Sequence, residues 1–434
     1  MRDKSITTLP VVLALGYVIV LTLFGSGWTW QLYDELGWLD LQTRFLTVTE
    51  FVKHDIADNG RYRPLHSFVV YRLYEWTQND PHVLRIIRVC QFALCSGLLL
   101  YYLRAVRKLP WIIAAFGLAF WLKSPPQLEQ IRWMTLIELY GTIFLLLALI
   151  VHSKSRVASY ALIVLAALGK EPFILFLPLP ALLERKRLEA SLTTAVAFTA
   201  LLVLALNRHG YSQTVTTGIS PVAINEIVRG LVLDFAPLLL LIPFIRVREF
   251  DKPDAWRALV FAAFGAAYFV IIGRAAWGYT YILSPVILMA SLAVAMLLSA
   301  VHILKKGRAV VLLLSLLTVL FSARVAWNWT KVYARTNDRA GLFAAAASAD
   351  VQGGVATNCP VDGRGVGLAS NGRPDITDCT PAASLAECCK NAGLLAITRE
   401  CGDFDTRATQ AHERKLRELY SNKNWLLFSC KASQ

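Results

Sequence analysis

The sequence predicts an α-helical polytopic membrane protein with about eleven transmembrane helices, interfacial helices in its first outer loop, and a small disulfide-bearing α/β domain at the C-terminal end. Three observations carry that prediction. Apolar runs near the roughly 20 residues that cross a bilayer recur along the chain, short basic loops alternate with polar ones, and six of the eight cysteines crowd into a polar tail. Of the 434 residues, 56% are hydrophobic and only 17% charged, against roughly 25% charged in soluble domains. Most of the chain is therefore built for lipid.

The clearest apolar runs are Leu9 to Gly25, Val83 to Leu103, Trp133 to Val151, Leu192 to Leu206, Leu231 to Ile245, Ala258 to Ile272, Tyr281 to Val301 and Ala309 to Phe321. Shorter ones are Trp111 to Leu122, Val157 to Leu168 and Phe173 to Leu183. A cleaved signal peptide is not expected, because polar loop rather than a small-residue cleavage site follows the first run.

The net charge of +14 reads as topology rather than nucleic-acid binding. With the opening MRDK in the cytoplasm, five basic connections fall on that side: RAVRK (Arg104 to Lys108), HSKSR (His152 to Arg156), ERKR (Glu184 to Arg187), RVREFDKPDAWR (Arg246 to Arg257) and HILKKGR (His302 to Arg308). Short basic loops mark the cytoplasmic face. An odd number of spans then carries the C-terminal end to the periplasmic side of a bacterial inner membrane. The expected division is a transmembrane catalytic domain over 1–326, with 26–82 as its first periplasmic loop, and a soluble periplasmic domain over 327–434.

That orientation suits the cysteines. Cys359, Cys379, Cys388, Cys389, Cys401 and Cys430 lie in the tail, and such density fits a disulfide framework in an oxidising compartment. Zinc is the rival reading, but the tail has no CxxC pair and adjacent Cys388 and Cys389 suit tetrahedral ligation poorly. GLLAITREC and NWLLFSC read as buried strands, and Thr406 to Tyr420 as a helix.

The polar segments opposite the basic loops hold the candidate chemistry. Charge inside a bilayer is costly and tends to be functional; the span interiors read as nearly free of charge, with Glu138 and Asp234, both near outer ends, as the main exceptions. The first outer loop opens with WQLYDELGWLD, in which Asp34 and Glu35 stand among aromatics. A carboxylate partly desolvated there is suited to take a proton from an attacking hydroxyl; the plain alternative is a helix cap beside an exposed acid. Phe45, Val48, Val52 and Ile56 recur at helical spacing, and Pro64 to Trp76 repeats the habit, as interfacial helices do.

Arg61, Arg63 and His66 open that second stretch, where a guanidinium suits phosphate or anchors to lipid headgroups. Lys170 and Glu171 stand in GKEP where a span should surface, as a ligand site or as a turn with an ion pair. Arg274 stands near Tyr279 and Tyr281 just before an apolar span, where it suits a lipid phosphate or snorkels to headgroups.

In order along the chain, one span, a loop opening on DE, interfacial helices, GRYRPL, GKEPFILFLPL and GR followed by YTYILSPVI resemble the GT-C superfamily of integral membrane glycosyltransferases over roughly residues 1–330. The resemblance implies a sugar taken from a polyprenyl-phosphate donor on the outer face. It implies Asp34 or Glu35 as catalytic base and Arg274 on the donor phosphate. There is no WWDYG-type motif of the oligosaccharyltransferase kind.

The expected function is transfer of a single hexosyl or pentosyl unit, with inversion, to a hydroxyl of an envelope glycan, a glycolipid or a surface protein such as a pilin. Lys170, Arg63 and Arg61 join Arg274 as phosphate contacts, while His66, Glu129, Gln130, Glu138, Glu171, Tyr279 and Tyr281 are candidates for substrate contacts. No cofactor is called for, and a divalent metal finds no second acidic pair to hold it. The alternatives are a polymerase or ligase of lipid-linked oligosaccharides, a flippase of lipid-linked sugars, or a membrane scaffold.

Overall fold

The computed structural model describes residues 45, 47–57, 62–77, 81–122, 127, 130, 138–206, 240, 242–243, 245–246, 251–272, 283–303, 307–314, 316–317, 339–349, 354–358, 366, 376–379, 385–390, 392–399, 404–421 and 425–432. They fall into two compact units, one holding 47–72 and 85–326 and the other 73–84 and 327–434.

The first unit is helical. It opens with α1 (Val48–Ala57), whose first turn is capped by Thr47 Oγ1 accepting from the Glu50 amide at 3.3 Å, and α2 (Pro64–Trp76), which starts on a proline as helices tolerate at their first position. Phe51 and Asp55 form the buried face of α1, with Phe51 against Tyr71 at 5.5 Å between ring centroids, whereas Val48, Val52 and Ile56 are only half-buried. The buried face is thus turned by about one residue from the apolar set that the spacing picks out. The reason is Asp55, whose buried carboxylate is met by Arg63, just before α2, and by Ser67 on α2.

The helices that follow are α3 (Pro81–Tyr101, running into a π turn over Tyr102–Val106), α4 (Trp111–Leu122), α5 (Glu138–Val151), α6 (Arg156–Gly169), α7 (Leu179–Leu183), α8 (Arg187–Leu206), α9 (Lys252–Ile272) and α10 (Ser284–Ala300). Among the described residues, three helices are long and apolar enough to cross a membrane: Ile86–Val106, Arg187–Leu204 and Lys252–Ile272. Residues 9–25 and 231–239 lie outside the described residues.

The run Phe173 to Leu183 is not a regular span. Pro172, Pro178 and Pro180 withhold amide donors, so the chain makes a 3-10 turn (Glu171–Phe176) and then only the short α7.

Close approach sets the packing. A β-carbon on Gly117 would meet the Ala295 side chain at 3.1 Å, and one on Gly265 would meet Met289 at 3.1 Å, so α4 and α9 lie hard against α10. Ser291 on α10 donates its hydroxyl to the Gly117 carbonyl.

The five basic loops meet at one end of this bundle. Asp254 accepts from Arg257 at 2.6 Å, Ser299 at 2.7 Å and Arg107 at 3.5 Å. Trp256 donates to the Leu182 carbonyl at 2.9 Å and Arg185 to that of Lys252 at 3.5 Å. β1 (Ile245–Arg246) pairs antiparallel with β2 (His302–Ile303). His152 is buried 3.6 Å from Glu184 and edge-on to Tyr160, with neither ring nitrogen hydrogen-bonded.

The second unit holds α11 (Arg339–Ser348), β3 (Gly354–Thr357), β4 (Ile376–Asp378), α12 (Leu385–Cys389), β5 (Ala392–Thr398), α13 (Phe404–Glu413), β6 (Leu416–Ser421) and β7 (Trp425–Ala432). The sheet order is β4-β3-β5-β7-β6, with β3 parallel to β4 and β5 and the remaining pairs antiparallel. The two expected strands are β5 and β7. The expected helix over 406–420 stops at Glu413. Lys415 turns the chain at φ 55°, and residues 416–421 spend their backbone hydrogen bonds on β7 instead.

Adjacent Cys388 and Cys389 bond in separate directions, to Cys379 and Cys430, with Cα separations of 5.5 and 5.3 Å. Cys359 and Cys401 lie outside the described residues. Cys379 and Cys388 belong to the same buried cluster as Leu395, Ile397 and Phe428.

Two outcomes follow. Burial holds the pKa of His152 below its ordinary 6.5, although Glu184 pulls the other way. The unfolded chain therefore takes up the proton first, and the thermal midpoint stays level above neutrality and falls as pH drops below about 6.5. His152→Phe flattens that limb; an unchanged limb contradicts the assignment. Replacing both Cys389 and Cys430 by Ser lowers the stability of the second unit by about 3 kcal/mol, read as faster amide exchange in β5 and β7 of the full chain. Exchange in α9 and α10 stays as it was.

Candidate active site

Helix α6 ends where proline forbids its continuation. Pro172 disfavours helical geometry in the residue before it, and the chain is already extended at Lys170, at φ −151° and ψ 116°. The Lys170 amide still closes on the Ala166 carbonyl at 2.9 Å, while its own carbonyl accepts from Phe173 at 3.0 Å. The side chain leaves the end of α6 for the start of α5. There Lys170 Nζ donates to Oε1 of Glu138, whose side chain is 1% exposed against 18% for the lysine.

The pair is not fully satisfied. Glu138 Oε2 is buried and has no hydrogen-bond partner among the described residues, and the same holds for the hydroxyl of Tyr268. Tyr268 on α9 stacks on Phe176 at 5.4 Å and meets Phe173 edge-on at 5.7 Å, within electrostatic range of Glu138 and Glu171. A β-carbon on Gly141 would strike the Phe173 ring at 2.5 Å, so glycine lets the aromatic turn after GKEP seat directly on α5.

Beside the pair lies a small apolar cleft lined by Leu65 and Val69 of α2, Tyr140, Gly141 and Phe144 of α5, and Leu165, Ala166 and Gly169 of α6. Gly169 immediately precedes Lys170, and Leu65 stands two residues after Arg63. Both cations thus belong to segments that wall this cleft. Arg63 Nε bonds Asp55 Oδ2 at 3.3 Å, and Ser67 donates its hydroxyl to the same oxygen at 2.5 Å. His66 is buried nearby on α2, at 3% exposure.

Of the residues singled out from sequence, Glu138, Lys170 and Glu171 come together, and Arg63 and His66 lie on the α2 segment that walls the cleft. Gln130 is fully buried and held by Arg88. Asp34, Glu35, Arg61, Glu129, Arg274, Tyr279 and Tyr281 lie outside the described residues.

Sequence reasoning missed Asp55, Ser67, Tyr268 and Arg88. Arg88 falls inside the run Val83 to Leu103, so the expectation that Glu138 and Asp234 are the main charges within the spans needs correction. The cost of charge in an apolar run is the signal that marks it. Asp55 carried no such signal, since its neighbours read as an ordinary amphipathic face. Among the described residues, no group of three or more His, Cys, Asp or Glu side chains converges to hold a metal ion.

The described residues thus form a helical unit that holds the GKEP turn and a separate small sheet unit. A solved structure that carries the same fold is ArnT from Cupriavidus metallidurans in the apo state, matched over 100% of this chain and 99% of that one with a TM-score of 0.60 at 13% identity. No protein-family model and no curated protein matches the chain.

Lys170→Met leaves Glu138 buried without its cation and lowers stability by about 3–5 kcal/mol. Adding Glu138→Leu removes the stranded charge and restores most of the loss. Thermal unfolding of the two variants measures this, and a double variant less stable than Lys170→Met contradicts it.

Proposed function

We propose that this protein is a membrane glycosyltransferase of the GT-C type that moves one sugar from a polyprenyl-phosphate donor to a hydroxyl acceptor on the periplasmic face of a bacterial inner membrane. The observation that carries this reading is the juxtaposition of an apolar cleft, walled by α2, α5 and α6, with an ion-paired lysine at its edge. A polyprenyl phosphate needs both: an apolar wall for the isoprenoid and fixed cations for the phosphate.

In this mechanism the isoprenoid lies along the cleft and Lys170, Arg63 and Arg274 hold the phosphodiester. Asp34, with Glu35 as the near alternative, takes the proton of the acceptor hydroxyl as its oxygen attacks the anomeric carbon. The bond from that carbon to the phosphate oxygen breaks with inversion, and polyprenyl phosphate leaves carrying the electron pair. The cations stabilise charge that grows on the leaving phosphate, so no strong general acid is required. Glu138 Oε2 and the Tyr268 hydroxyl, both buried and unsatisfied, offer an acceptor and a donor to polar groups of a bound substrate. Envelope glycans, glycolipids and surface proteins all present a suitable hydroxyl.

A flippase of lipid-linked sugars is the second reading, since it too binds such a lipid. The ties across the basic end of the bundle weigh against it, because inward opening would have to break them.

The test uses protein in nanodiscs supplied with polyprenyl-phosphate-linked hexoses and pentoses. Release of polyprenyl phosphate without any transmembrane gradient is expected, with a fall of about a hundredfold or more in Asp34→Asn or Arg274→Ala. Full turnover in Asp34→Asn removes it as the base. Scrambling of the lipid without cleavage favours the flippase.

A further inference from the structure

Arg88 is a charged side chain the mechanism above does not use. It is fully buried on α3, inside the span Ile86–Val106. Its Nε donates to the carbonyl of Gln130 at 2.6 Å, Nη2 to Oε1 of the same glutamine at 2.5 Å, and Nη1 to Oε1 of Gln91 at 3.3 Å. One guanidinium therefore grips Gln130 by backbone and side chain at once. A planar fork can do this and the point charge of lysine cannot.

The links extend in two directions. Gln91 donates through Nε2 to the hydroxyl of Tyr140 at 2.7 Å, and Tyr140 stands two residues past Glu138 on α5. Three residues before Gln130, Gln127 and Ser284 are paired: the Ser284 hydroxyl donates to Gln127 Oε1 at 3.0 Å, and Gln127 Nε2 donates to the Ser284 carbonyl at 3.3 Å. Ser284 opens α10. Gln127, Gln130 and Ser284 are all fully buried.

Two glutamines of the polar segment after α4 thus fasten it to α3 and to the start of α10, while Arg88 reaches on through Gln91 to α5. A buried ionic group seldom adds stability over well-packed apolar residues. What this one supplies is a fixed geometry at the end of the bundle where Glu138 and Lys170 meet.

Resting on the transferase reading, we infer that Arg88 is a positioning residue for sugar transfer, acting through Gln130 and through Gln91 and Tyr140 on the placement of Glu138 at the start of α5. Its contribution falls on the chemical step. Donor binding is left to the cleft and the phosphate-binding cations.

Arg88→Lys keeps the charge and removes the two-pronged grip, and Tyr140→Phe cuts only the link to α5. With a polyprenyl-phosphate-linked sugar, kcat of Arg88→Lys is expected to fall about tenfold or more while the donor KM stays within about twofold. Gln130→Ala lowers kcat similarly and adds little to Arg88→Lys, as members of one network do. Amide exchange in the peptide carrying Gln127 and Gln130 speeds up in Arg88→Lys, with exchange in the second unit unchanged.

Unaltered kcat in Arg88→Lys, or unaltered exchange in that peptide, overturns the inference. Should Arg88→Lys fail to fold, Tyr140→Phe decides: a lower kcat at constant KM supports the role and an unchanged kcat refutes it. No turnover by the unaltered protein overturns the transferase reading instead, and the exchange measurement still decides whether Arg88 holds the segment.

Discussion

The ion pair between Glu138 and Lys170 is the constraint around which the described membrane unit is arranged. A carboxylate 1% exposed at the start of one apolar helix is tolerable only with a cation delivered to it. Delivery requires α6 to end on time, and Pro172 ends it. It requires the chain after α6 to turn back on α5, and Gly141 admits Phe173 there. It also requires α9 to bring Tyr268 over the same aromatic turn. GKEPF is therefore a folding instruction as well as a candidate ligand site, since one short stretch stops a helix, places a cation and seats the aromatic plug.

Both ends of the bundle combine engaged polar groups with buried atoms that find no hydrogen bond among the described residues, the ring nitrogens of His152 among them at the basic end. At the basic end, polar groups are engaged with one another: Asp254 gathers two arginines and a serine, Trp256 and Arg185 reach backbone carbonyls, and two short strands pair. At the other end, Glu138 and Tyr268 keep buried polar atoms unsatisfied beside an apolar cleft. Those of Glu138 and Tyr268 lie where a lipid-linked substrate is proposed to dock. Clasps such as those of Arg88 and Gln127 hold that end in shape without filling it.

Much of this was legible in the sequence because hydropathy and loop charge act over many residues. Five basic loops were expected to share a face, and they meet in space. GKEP was marked as a turn, and α6 ends there in a 3-10 turn. The tail strands β5 and β7 followed from apolar runs in a polar context. Less was legible where a single long-range contact decides the outcome. Asp55 is buried because Arg63 and Ser67 come to it from another helix, and no local pattern announces that. The stretch after Glu413 has good helical spacing but pairs as β6, because the strand partner β7 outweighs local propensity. Arg88 was visible as a charge in an apolar run, yet its partner lies 42 residues away.

The account turns on Lys170 serving two partners in succession, Glu138 at rest and the donor phosphate when the site is filled. A structure determined with polyprenyl phosphate bound tests this most directly. The account predicts the isoprenoid along Leu65, Val69, Phe144 and Leu165 with a phosphate oxygen within hydrogen-bond reach of Lys170 Nζ. An isoprenoid seated elsewhere, with the phosphate out of reach of Lys170, would contradict it.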